Sequence, residues 1–139
     1  MKILLVCPYD WEAPGGVQVH VRQLAAELRE RGHRAIVLAP GSRASSDERI
    51  RIVGRPVRVP YGGTVAPISF SPGSWKRIRS AMRAFDPEVI HVHEPLTPST
   101  SMLAVLAASV PVVATFHAYL ERSRLMELAG PVLRQLSRR

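Results

Sequence analysis

The chain has 139 residues, 46% of them hydrophobic, and a formal net charge of +8. That composition supports one domain with a real core and excludes a chain disordered throughout. A single cysteine excludes a disulfide framework and fits a reducing cytosol, while 17 Arg against 2 Lys point to anionic partners: nucleic acid, phosphorylated small molecules or acidic lipid.

The first element, "KILLVC" (2–7), is a continuous apolar run, as expected of a strand buried on both faces. It is too short for a secretory signal. From Val17, apolar residues recur at helical spacing through Val21, Leu24 and Leu28. "RERGH" closes that helix, with Arg29 and Arg31 in its last turn and Gly32 just beyond. "AIVLAP" is the second strand and "GSRASSDER" a polar loop. "IRIVG" and "RPVRVP" read as short exposed or edge strands, and "YGGTVAPIS" as a loop after them. "GSWKRIRSAMRAF" is an amphipathic helix, "PEVIHVHEP" a strand, "TSMLAVLAAS" a buried helix and "PVVATFHAY" the next strand. The final segment, "LERSRLMELAGPVLRQLSRR", is helical with a break at Gly130–Pro131. The longest apolar stretch, "MLAVLAASVPVVATF", is interrupted by Ser109 and Pro111 and falls short of the roughly 18–20 residues of a membrane span. The chain is therefore expected to be soluble or attached to a membrane from outside.

Alternating strands and helices with apolar strands predict an α/β fold: a Rossmann-like, mostly parallel sheet with helices on both faces. In such sheets, ligands bind beyond the carboxyl ends of the strands. The loops there are "PYDWEAPGG", "YGGTVAPIS", "HVHEP" with "LTPS", and "FHAYLERS", all rich in Gly, Pro, His or Tyr. Gly15 and Gly16 precede the first helix, where bare N–H groups and the helix dipole favour a phosphate or another anion. The pair is neither a dinucleotide fingerprint nor a P-loop.

His117, at the end of a strand, is a candidate site residue. His91 and His93 share one face of a strand, but no third ligand stands at a recognisable spacing, so no metal site is expected. His20 and His33 read as structural or exposed. There is no D-x-D motif and no G-x-S-x-G. Trp75, Ile78, Met82 and Phe85 form an apolar stripe crowded by Lys76, Arg77, Arg79 and Arg83. The residues favour a stripe packed on the sheet with its charges solvated; a membrane-surface segment is the other reading of such a basic helix. Eight aromatics and no recognition motif argue against nucleic acid.

Taken together, "CPYDWEAPGGVQVHVRQLAAELRERGH", "VLAP", "PYGGTVA", "HVHEP" and "ATFH" resemble the N-terminal domain of a family 4 glycosyltransferase of GT-B fold, in particular the phosphatidylinositol mannosyltransferase group. The resemblance implies that residues 1–139 are the acceptor-side domain of an enzyme whose donor domain lies beyond them. It implies a retaining transfer of a hexose, mannose from GDP-mannose, to a lipid or polyol acceptor such as phosphatidylinositol, with a nucleotide sugar as co-substrate and no tightly bound cofactor. By resemblance, Gly15 and Gly16 meet the donor diphosphate, and His117 sits beside the transferred sugar. Tyr9, Glu12, Gln18, Gly63, Thr64 and Arg122 bind the acceptor. Trp75, Lys76, Arg77, Ile78, Arg79 and Arg83 touch an anionic membrane, placing the protein in the cytoplasm, peripherally on the inner face of the plasma membrane. Gly62 stands where that group has Asn, and Pro67 and Ser69 stand where it has arginines. The second reading is a stand-alone, non-catalytic module that binds a phosphorylated ligand or an anionic membrane.

Overall fold

The computed structural model describes residues 1–61 and 64–117. The helix expected beyond "FHAYL", together with Gly62, Gly63 and Arg122, lies outside them. Strands β1 (Lys2–Val6), β2 (Arg34–Pro40), β3 (Ile50–Gly54), β6 (Val89–His93) and β7 (Val112–Thr115) form one parallel sheet in the order β3-β2-β1-β6-β7. Helices α1 (Gly16–Glu30), α2 (Pro72–Phe85) and α3 (Thr100–Ala107) connect them. The Rossmann-like α/β expectation holds.

Alternation along β1 divides the core in two. Ile3, Leu5 and Cys7 face α1, joining Val21 and Ala25, with Val17, Leu24 and Leu28 packed at the margin. Leu4 and Val6 face the other side, joining Ile78, Met82, Leu103 and Ala104 from α2 and α3. Burial pushes the Cys7 thiol up to about 12, so it packs as a small apolar group rather than as a nucleophile. Gly32, at φ +82°, ends α1 in the left-handed conformation that glycine favours.

One expectation changes at the hairpin. "YGGTVAPIS" is not a loop: Thr64–Ile68 forms β5, paired antiparallel with β4 (Val57–Tyr61) in a separate hairpin. Two β-type runs joined by Gly-Gly carry the hairpin signal in the sequence. The hairpin is tied to the loop after β1 by the Asp10 N–H bonding to the Pro67 carbonyl at 2.9 Å and by a bridge between Tyr9 and Ile68. Val113 is exposed on β7, the last strand in the sheet order.

On α2, Ser71 caps the N-terminus by accepting from the Ser74 N–H. The apolar stripe faces the sheet: Ile78 is fully buried, and Trp75 and Phe85 pack against the same cluster. Ile78 is therefore removed from the membrane-contact set, because its side chain is already in the core. Lys76, Arg77, Arg79 and Arg83 are exposed, and Arg79 lies over the Trp75 ring at 5.7 Å. Among the described residues, no helix is long and apolar enough to cross a membrane.

Ile78→Ala should lower the unfolding free energy by about 2–5 kcal/mol in urea denaturation. Arg77→Glu, on the opposite face of the same helix, should change it by no more than about 0.5 kcal/mol.

Candidate active site

The loop after β1 turns on a small set of contacts. The Trp11 N–H bonds to the Pro40 carbonyl at 2.9 Å. Arg22 lies over the Trp11 ring at 4.2 Å and donates to the Trp11 carbonyl. The side chain of Gln18, which is buried, donates to the Asp10 carbonyl at 3.0 Å. These anchors fold Tyr9–Gly15 back over the start of α1.

Gly15 is the N-cap of α1, no side chain caps the helix, and its first turn holds no acidic residue. The N–H groups of that turn are thus left to solvent or a ligand. The two glycines have different reasons to be small. A Cβ on Gly15 would meet Gln18 Oε1 at 2.4 Å, whereas a Cβ on Gly16 would meet nothing within 4 Å. Gly15 makes room for the Gln18 lock, and Gly16 opens onto free space.

That space is a cleft of about 670 Å³ between the α1 N-terminus and the β4–β5 hairpin. Tyr9, Gly15, Gly16 and Gln18 line it. Glu12 lies outside the lining and is exposed, its N–H bonded to Asp10 Oδ1 at 3.2 Å. Thr64 opens β5 opposite Tyr61. Ser69 is buried, bonded to Ser74 Oγ at 2.8 Å, and faces the helix rather than a ligand. Arg58, not singled out from the sequence, also lines the cleft, directly across the hairpin from Pro67. A guanidinium is therefore present on this wall even though position 67 is Pro.

Beyond the cleft, β6 and β7 end side by side, pairing His93 with Thr115. His93 Nδ1 lies 2.8 Å from His117 Nε2, and the two rings stack. His91 stacks on the other side of His93 and bonds to Thr115 Oγ1 at 2.8 Å. Burial, reinforced by the His91, His117 and His20 rings, pushes His93 down to about 3. Burial also lowers His91 and His117, and Glu94 opposes the shift in His117. All three imidazoles are therefore neutral near pH 7. Among the described residues, His93 Nε2 is buried without a partner. If His117 were the donor, His93 would carry a bare buried N–H there, the costlier arrangement. The His93 N–H therefore donates to His117, leaving the His117 proton on Nδ1.

Glu94, buried at φ +52°, holds this corner. Its N–H bonds to the Thr115 carbonyl at 2.9 Å, and its carboxylate accepts from the His117 N–H. A non-glycine residue in that conformation is strained, and such strain concentrates at functional sites. His20 completes the group, its ring centroid 5.1 Å from that of His117. It follows Gly16 by one helical turn, so the histidines and the glycine cleft share one face of α1. Sequence spacing concealed Arg58 and His20, because each meets the site only through the packing of separate elements; Glu94 stands next to His93 in the chain, and the structure adds its hold on His117.

The family model for Glycosyltransferase Family 4 matches residues 14–139. The chain belongs to glycosyltransferase family 4. It is 42% identical over 135 residues to a phosphatidyl-myo-inositol mannosyltransferase of Mycolicibacterium smegmatis, covering 96% of this chain and 35% of the relative. Identity to a protein of the same description from Mycobacterium leprae is 44%, covering 96% of this chain and 36% of that one. A glycogen synthase of Mycobacterium tuberculosis is 28% identical over 85% of this chain and 34% of its own length. The chain thus spans about a third of the curated relatives it matches.

Gly15→Ala should destabilise the fold by about 1–3 kcal/mol through displacement of Gln18. Gly16→Ala should be neutral or stabilising by up to about 1 kcal/mol. Paired urea titrations compare the two.

Proposed function

We propose that this chain is the acceptor-side, N-terminal domain of a retaining glycosyltransferase that moves mannose from GDP-mannose to a lipid or polyol acceptor such as phosphatidylinositol. The observation that carries this reading is the uncapped α1 N-terminus, which opens through Gly16 into the cleft on the same helix face as His117's cluster. An anionic leaving group suits the first, since bare N–H groups and the helix dipole stabilise negative charge. An acceptor hydroxyl or sugar suits the second, where a neutral imidazole offers a directed hydrogen bond without adding charge. Arg58 supplies a cation on the facing wall for an acceptor phosphate. Membership of family 4 and the relatives named above support mannosyl transfer and an inositol-phospholipid acceptor. The donor base and the anomeric outcome are part of the proposal. In this reading the donor-binding half is a second domain, and the described domain supplies one wall of the shared cleft.

In the full-length enzyme, His117→Ala should lower kcat for mannosyl transfer by about 100-fold or more, with the melting temperature retained. Near-normal turnover would remove His117 from the chemistry. Gly16→Trp fills open space rather than core, so it should abolish GDP-mannose binding in calorimetry while leaving the circular dichroism spectrum unchanged. Unchanged donor affinity would reject the glycine-loop assignment.

The exposed Lys76, Arg77, Arg79 and Arg83 on α2 favour an anionic membrane surface as the place where a lipid acceptor is met, and support a peripheral position on the inner face of the plasma membrane. Flotation with phosphatidylglycerol vesicles should show binding that weakens with salt and is lost in Arg77→Glu/Arg79→Glu. Binding that survives the double variant would move the contact elsewhere. The same test probes the non-catalytic alternative: vesicle binding by a full-length protein without transferase activity would favour it.

A further inference from the structure

His20, His93 and His117 come from the second turn of α1, the end of β6 and the residues after β7, and no spacing in the chain announces them as a set. In the folded domain each offers a nitrogen, and these atoms lie within 4.8 Å of one another. We propose that the three imidazoles form a binding site for one transition-metal ion of the Zn²⁺ type.

The chemistry of the donor set selects the ion. Three nitrogens with no carboxylate or thiolate among them suit Zn²⁺, Ni²⁺ or Cu²⁺ and disfavour Mg²⁺ and Ca²⁺. On a tetrahedral Zn²⁺ with ligand bonds of about 2.0–2.1 Å, nitrogens lie about 3.4 Å apart. The set must therefore contract by roughly 1.4 Å from its widest spacing. His20 and His117 are exposed and have the freedom to move, while His93 is fully buried and fixed. His93 is also under-satisfied: one nitrogen meets another imidazole, and among the described residues the other meets nothing. Around the set, Glu94 holds the His117 backbone and His91 stacks on His93, which fixes where those two residues enter the cluster. The exposed side of His20 and His117 leaves a fourth position to water or a ligand.

The test is a titration of the metal-free purified protein with Co²⁺, whose visible absorption reports tetrahedral nitrogen ligation, followed by displacement with Zn²⁺. The expected result is one equivalent bound, with His20→Ala and His117→Ala each lowering affinity at least tenfold and His33→Ala leaving it unchanged. His20 is exposed on a helix, so its alanine variant retains the fold; circular dichroism of each variant confirms this. No tetrahedral absorption up to 1 mM Co²⁺ would overturn the site. So would affinity unchanged in both variants, or lost only in His33→Ala, where the chain amino group and that imidazole lie 3.4 Å apart. Where His117 serves the transfer reaction proposed above, the same ion would withdraw it and Zn²⁺ would inhibit; the titration itself does not depend on that reading.

Discussion

Everything in this domain hangs on β1. It sits in the middle of the parallel sheet, hydrogen-bonded to β2 on one side and β6 on the other, and Leu4, Leu5 and Val6 are fully buried. A strand buried on both faces must present apolar side chains in both directions, and its neighbours must run parallel for helices to return across the faces. The consequence is directional. All five strands deliver their following loops to one edge, so the Tyr9–Gly15 loop and the residues after β6 and β7 converge without any one of them encoding the site.

At that edge, burial decides the electrostatics. The His93 ring is shut away from water among other imidazoles, and a positive charge there would be poorly solvated and repelled. His91, His93 and His117 are accordingly neutral hydrogen-bonding rings beside a helix terminus whose partial charge is positive. The glycine end of the edge attracts negative charge, and the histidine end offers uncharged hydrogen bonds. The two halves of the edge thus have different chemical preferences while sharing α1 as a common frame.

The hairpin adds a third wall. It is not part of the main sheet and is held through the Asp10 and Tyr9 backbone. Because directly opposite residues of an antiparallel pair project side chains to the same face, Arg58 sets its guanidinium on the wall that Pro67 also lines. Ser69 has a different fate: its hydroxyl is committed to Ser74 in the interior, beside Gly54, where an added Cβ would lie 2.2 Å from Ser69 Oγ.

Local pattern was enough to determine the α/β class, the helices from Val17 and from "GSWKRIRSAMRAF", the left-handed glycine after "RER" and the bare glycines before α1. Each of these rests on side-chain periodicity or backbone freedom within a few residues. Periodicity placed Ile78 on an apolar stripe suited to the sheet; the tertiary structure decided that this side chain is wholly in the core and not among the membrane contacts that the resemblance implied. It also decided that the β4–β5 pair sets Arg58 on the cleft wall, and that Glu94 adopts a strained conformation to hold His117. It brought His20, 73 positions before His93, into the same cluster. Contacts between separate elements follow from strand order and crossover direction, and those are properties of the folded sheet rather than of any stretch of the chain.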